Sequence, residues 1–199
     1  MHELILASSS PRRKQILQDR GYKFRAFPLE VSEILDKNLN ISDQISDCAR
    51  HKAVAALDEL NLSKTLDILI LSADTAVVLR GQVLGKPKNK AHAKEVLTSL
   101  SGEIHQVITG FCLVEVKTER LILGHETTQV KFRKLSETEI LDYVSSGEPM
   151  DKAGSYGIQG EAKKFVKEIQ GSYLNVVGLP IEKIEQVFEA EGWTIEKRI

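Results

Sequence analysis

Apolar and polar positions fall into blocks along the chain, and the blocks read as strands and helices in turn. A short apolar run at 3–8, holding Leu4, Ile5 and Leu6, has the length of a buried strand. Ser10 and Pro11 follow it directly, an N-cap residue and a proline at the first helical position, so a helix is expected to about Gly21. A second strand at about 22–28 leads through a polar loop into a helix near 42–60, where Ile45, Cys48, Ala49, Ala53, Ala56, Leu57 and Leu60 keep a helical period. Lys52 falls on the same stripe. The unbroken run Ile68 to Leu71 predicts a buried strand that ends at Ser72-Ala73-Asp74-Thr75. Ala76 to Leu79 with Val83 and Leu84 then predicts a hairpin turning at Arg80-Gly81-Gln82. A helix near 89–100 closes at Gly102, two strands at about 104–116 and 120–133 form a hairpin, and a helix near 136–146 closes at Gly147. Two glycine-containing stretches, 152–160 and 171–180, precede a last helix at 181–191.

Composition narrows the classes of partner. With 199 residues, 42% hydrophobic, the chain can bury a core in one domain or in two lobes sharing a sheet. Its net charge of -1 offers no general attraction to nucleic acid or to an acidic membrane, so any anion site must be local. The two cysteines, Cys48 and Cys112, show no CxxC spacing, which argues against a disulfide framework or a zinc site and fits a reducing cytoplasm. The N-terminus lacks a basic segment followed by a long apolar one, and no run approaches the roughly 20 apolar residues that span a bilayer. A soluble, unprocessed protein is expected.

A local anion site is offered by the stretch ASSSPRR, Ala7 to Arg13, between the first strand and the first helix. A helix N-terminus presents backbone N–H groups and the positive end of a dipole, and serine hydroxyls with Arg12 or Arg13 would complete a phosphate cradle. The same residues also make an ordinary Ser-Pro cap followed by solvated arginines. Lys52, on an apolar stripe, must either snorkel to water or meet an anion. Asp74 closes a strand, either as a turn residue or as a carboxylate at the end of a strand where open α/β sheets bind ligands. Glu33 in the polar loop reads by itself as a surface charge. Gly85-Lys86-Pro87 is not a P-loop, since only three residues separate Gly81 from Gly85 and Pro87 stands where Ser or Thr is needed. AGSYGIQG (153–160) lacks dinucleotide-fingerprint spacing, leaving a turn or a close backbone approach. The five histidines show no metal-ligand spacing, and no nucleophile elbow is present.

Taken in order, LILASSSPRR (4–13), VSE (31–33), the lysine of ARHKA (49–53), SADT (72–75), LGKP (84–87), ITGF (108–111), SGEPMDKAGSYGIQG (146–160) and GSYLNVVGLP (171–180) resemble the Maf family of nucleoside triphosphate pyrophosphatases, also called septum formation inhibitors. The resemblance implies a single domain over 1–199 with an elongated α/β fold: a mixed central sheet flanked by helices, and two lobes with a nucleotide-binding cleft. It implies a homodimer, and hydrolysis of a nucleoside triphosphate to monophosphate and pyrophosphate with Mg2+ or Mn2+. By the same resemblance Ser8, Arg12, Arg13, Lys52 and Lys86 bind phosphate and Asp74 is the proton acceptor. Glu33 and Asp74 are the metal-binding carboxylates, although Ser32 stands where the family commonly has an aspartate before the glutamate. Whether Asp74 acts as base or as metal ligand stays open, since an ordinary aspartate titrates near 3.9 and is a weak base at neutral pH.

The stretch EPMDKAGSYGIQG resembles the subgroup acting on dTTP and UTP, with Arg12, Thr75 and Gln159 at specificity positions. A glutamine amide both donates and accepts, which suits a pyrimidine edge carrying O4 and N3–H; 5-methyl-UTP and pseudo-UTP share that edge. Alternative readings are a 7-methyl-GTP or inosine-triphosphate type of pyrophosphatase, and a nucleotide-binding regulator of cell division without catalysis.

Overall fold

The computed structural model describes residues 1–29, 31, 36 and 38–198, so the expectation for Glu33 lies outside the described residues. Strand β1 (Glu3–Leu6) pairs in parallel with β2 (Phe24–Ala26) and with β3 (Ile68–Leu79), with Leu6 opposite Leu71. β3 pairs antiparallel with the short β4 (Gln82–Leu84). The strands β5 (Ile104–Glu115), β6 (Arg120–Phe132) and β7 (Val166–Gln170) complete a mixed seven-stranded sheet of order β2-β1-β3-β5-β6-β7, with β4 beside β3. This is the mixed sheet with helices that the sequence implied.

The chain divides into two compact units. The first comprises Met1–Asp74, Thr109–Glu126 and Gly178–Ile199; the second comprises Thr75–Ile108 and Thr127–Val177. Three of the four boundaries fall inside β3, β5 and β6, and the fourth lies between 177 and 178.

In the first unit, helices α1 (Pro11–Asp19) and α2 (Ile41–Leu60) follow β1 and β2. Asn40 caps α2 by accepting the Asp43 N–H at 2.9 Å, and Asn61 ends it in a left-handed conformation. The buried face of α2 is built from small residues, Ala49, Ala53 and Ala56, packed with Ile5, Ile68, Ile70, Cys112 and Val114. Small side chains let a helix lie close on a sheet, and Gly110 of β5 takes this to its limit. A Cβ there would stand 2.5 Å from the Ser46 nitrogen and 2.7 Å from the Ile45 carbonyl carbon, both backbone atoms of α2.

In the second unit, α3 (Lys90–Leu100) packs against α4 (Glu137–Ser145), which opens with a capping box between Ser136 and Glu139. The core here is aromatic: Phe132, Tyr143, Tyr156 and Phe165 meet edge-on, with the His105 ring 4.9 Å from that of Phe132. Short 3-10 turns at Glu148–Asp151, Ala153–Ser155 and Glu161–Phe165 occupy the first glycine-containing stretch and the residues after it. Helix α5 (Tyr173–Val177) ends the second unit, and helix α6 (Ile181–Ala190) belongs to the first.

Three differences from the sequence-based expectation have physical causes. The expected 68–71 strand and hairpin arm are one continuous strand, because Ser72 and Asp74 are buried inside it with their polar atoms bonded. β7 went unseen, since VKEIQ exposes three of its five residues and carries little apolar periodicity. Helix α5 is a single short helix inside a stretch read only as glycine-containing.

Candidate active site

β1 hands the chain to α1 through the serines. The Ala7 N–H still donates to the Leu71 carbonyl at 2.8 Å, so β1 and β3 run side by side to this point. Ser10 then caps α1 by accepting the Arg13 N–H at 3.4 Å, with Pro11 behind it. Ser8 is buried, and its Oγ accepts from the Ser10 N–H and from Arg13 Nη1, each at 3.2 Å. Arg13 Nε donates to the Gly178 carbonyl at 2.8 Å, so both ends of the guanidinium are fixed. The cap and the phosphate-cradle readings therefore coexist: the same serines that start the helix hold an arginine in place at its N-terminus. Arg12, one residue earlier, is half-buried, and its side chain makes no hydrogen bond or ion pair among the described residues.

Lys52 meets an anion supplied by the protein itself. Its Nζ pairs with Asp74 Oδ1, the two side chains being 13% and 11% exposed. The pairing has a register. Ser72 Oγ donates to the Ala49 carbonyl at 2.6 Å, pinning β3 to α2. Asp74 lies two residues past Ser72, on the same face of a strand, and Lys52 lies three past Ala49, on the same face of a helix. One hydrogen bond thus sets where the ammonium and carboxylate arrive. Asp74 lies within β3, three residues past Leu71, the partner of the last β1 residue Leu6, so it stands just beyond the carboxyl end of β1, the kind of end at which open sheets place ligands.

Thr75, Lys86 and Gln159 belong to the second unit. Lys86 is exposed after β4, and its neighbour Gly85 accepts the Gly154 N–H at 3.1 Å, joining the LGKP segment to the first glycine-containing stretch. Gly154, at φ +67, has no room for a side chain: a Cβ would stand 2.7 Å from Cβ of Val77. Val77 shares a strand face with Thr75, so Gly154 approaches the face that carries Thr75. Gln159 is exposed between the buried Ile158 and Gly160.

For a metal, the described residues contain no group of three or more His, Cys, Asp or Glu side chains placed as ligands. Asp74 nevertheless fits one class of site. Mg2+ is commonly held by one or two carboxylates, with substrate phosphates and waters completing the octahedron, rather than by an all-protein cage.

Some residues that shape the site were not singled out from sequence. Ser72 carried a signal, a hydroxyl inside an apolar strand, which must find an acceptor when buried. The Gly178 carbonyl that holds Arg13 had none, because a backbone acceptor distant in sequence is set by tertiary packing. Tyr143 and Glu148, whose contacts with the Gln159 loop are described below, had only the glycine spacing near them.

Known proteins resemble this chain over most of its length. The family model described as Maf-like protein matches residues 3–191. A protein of Bdellovibrio bacteriovorus named dTTP/UTP pyrophosphatase is 50% identical, the match covering 92% of this chain and 96% of its own length. Proteins of the same name from Alkaliphilus metalliredigens and Bacillus anthracis are 43% and 44% identical, over 94% and 92% of this chain and 95% and 93% of theirs. On a match of that extent, the chain belongs to the Maf-like protein family.

Proposed function

We propose that the chain is a nucleoside triphosphate pyrophosphatase that hydrolyses dTTP and UTP to the monophosphate and pyrophosphate. The observation that carries the reading is the Lys52–Asp74 pair, set in the same unit as the Ser8–Arg13 cradle, with Asp74 just beyond the carboxyl end of β1 on the adjacent parallel strand β3. The relatives' names support the substrate pair.

In this reading the basic residues bind the triphosphate. Arg13, already oriented, and Arg12 meet phosphate oxygens at the α1 N-terminus, and Ser8 keeps Arg13 in place. An incoming triphosphate offers the Lys52 ammonium a second anion, which frees the Asp74 carboxylate to orient or deprotonate the attacking water. Lys86 contributes charge for the departing pyrophosphate. A bound Mg2+ or Mn2+, held by Asp74 and by Glu33, would withdraw charge from the phosphorus under attack. Arg12, Thr75 and Gln159 select the base, the Gln159 amide pairing with the O4 and N3–H edge of a pyrimidine. The family resemblance adds a homodimer and a single functional domain over 1–199, and the cysteine usage a cytoplasmic location; sedimentation of the purified protein tests the first of these.

The deciding experiment is pyrophosphate release with Mg2+ or Mn2+ across dTTP, UTP, CTP, 7-methyl-GTP, ITP and the common purine triphosphates, for the wild type and Asp74→Asn. Pyrophosphate from dTTP and UTP is expected, with turnover by D74N lower by about a thousandfold or more while far-UV circular dichroism shows the variant folded. Preference for 7-methyl-GTP or ITP would overturn the base assignment, and wild-type turnover by D74N would overturn the mechanism. Absence of turnover on every nucleotide would leave the non-catalytic regulator.

A further inference from the structure

Gln159 sits on a loop whose two ends are tied to one carboxylate. Tyr143, buried on α4, donates its hydroxyl to Glu148 Oε1 at 2.9 Å and accepts the Gly157 N–H at 3.1 Å. Glu148 Oε2 accepts the Glu161 N–H at 3.1 Å. The segment from 157 to 161 is therefore held at its far end by Glu148 directly and at its near end through Tyr143. In the middle, the Ile158 side chain is buried and Gln159 is exposed.

The glycines of this motif are explained by the same carboxylate. A Cβ on Gly157 would stand 2.7 Å from Lys152 Cε and 3.2 Å from Glu148 Oε1, and a Cβ on Gly160 would overlap the Glu148 carboxylate. Lys152 Nζ donates to the Glu148 carbonyl at 2.7 Å, which closes the turn that carries the glutamate. The close approach left open by the sequence is made here to a protein side chain.

We propose that Glu148 is a positioning residue for base recognition: acting with Tyr143, it holds the 157–161 loop in the conformation from which Gln159 reads the nucleobase. The proposal rests on the reading of Gln159 given above. A glutamine on an unheld loop would pay the entropy of ordering both loop and side chain when substrate binds, whereas a clamped loop has paid it on folding. Loss of the clamp then falls on affinity and base discrimination, not on the chemical step.

The test uses the full chain and the variants Glu148→Gln and Tyr143→Phe. Glutamine keeps the size of the side chain but puts an NH2 group where one of the two carboxylate oxygens accepted. In E148Q the KM for dTTP and UTP is expected to rise about tenfold with kcat changed less than about twofold, and preference for dTTP over CTP to fall by a similar factor. In a Gln159→Ala background the same change should add less than about twofold, because the residue acts through the one already removed. An unchanged KM and preference in E148Q, or an undiminished effect in the Q159A background, would overturn the proposal. Tyr143→Phe removes the ties to Gly157 and to Glu148 Oε1, leaves the Glu148–Glu161 bond, and should raise KM in the same direction; a wild-type KM in Y143F would overturn the Tyr143 link. Amide hydrogen exchange reads the clamp without any substrate: exchange at Gly157 and Glu161 should quicken by about tenfold or more in E148Q, and unchanged exchange sinks the clamp itself. A wild-type protein inactive on all of these nucleotides would instead overturn the proposed function, with the exchange measurement still judging the clamp.

Discussion

Lys52 and Asp74 occupy each other, and each would be costly to bury alone. Lys52→Ala removes the ammonium that pairs with a mostly buried carboxylate, and with it a phosphate-binding charge. Its kcat/KM on dTTP is expected to fall by about a hundredfold or more, measured by pyrophosphate release at saturating and limiting substrate. Ser72 makes a subtler case. Removing its hydroxyl should cost about 1 kcal/mol in urea unfolding, and by loosening the register between α2 and β3 it should also lower kcat, although the serine touches no substrate in the proposed arrangement. Wild-type kcat in Ser72→Ala would show that the pair finds its own register. At this scale the sequence was informative about which residues matter and silent about whom they meet. Lys52 stood out because an ammonium on an apolar stripe needs a partner, yet nothing in residues 49–53 and 72–75 says that the partner is Asp74. That contact depends on a helix and a strand packed through alanines.

Helices and strands here are positioned by small residues and caps. Gly110 lets β5 touch the backbone of α2, so Gly110→Ala must push the helix that carries Lys52 away from the sheet. A loss of about 1–3 kcal/mol in urea unfolding is expected, together with reduced turnover. Ser136→Ala removes the cap of α4 and should cost about 1 kcal/mol by the same measurement, with little effect on kcat because Ser136 is far in sequence from the proposed phosphate ligands. Most elements were legible from pattern: α1 from Ser-Pro, α2 from its period, α4 from its cap signal and closing glycine, and the long strands from their apolar runs. The continuity of β3 was hidden because its polar residues are bonded inside the fold, and β7 because an edge strand with an exposed lysine, glutamate and glutamine has no face to mark. The turns at 148–165 follow from the Tyr143 and Glu148 contacts, which no local propensity encodes.

Over the molecule as a whole, the charge balance supplies no long-range field, so recognition of an anionic substrate falls to the basic groups near β1 and α2. Acid sensitivity should come from a buried group away from them. His105 is buried with Nε2 2.8 Å from the Tyr156 hydroxyl, and burial pulls its pKa from 6.5 down to about 4. The unfolded chain therefore binds the proton more readily between those values. Stability from this group is fully present above pH 6.5 and is lost as pH falls toward 4, by up to about 3 kcal/mol. Urea unfolding from pH 7 to 4 should show that slope, and His105→Gln should flatten it. The packing of α2 against β5 has a practical consequence in thiol chemistry. Cys48 on α2 and Cys112 on β5 are both buried in the first unit, and burial pushes the Cys112 thiol up to about 12. A thiol reagent in native buffer can then reach them only through opening of that contact, so its labelling rate becomes a clock for how often the helix bearing Lys52 lifts from the sheet, and a bound triphosphate should make the clock run slow.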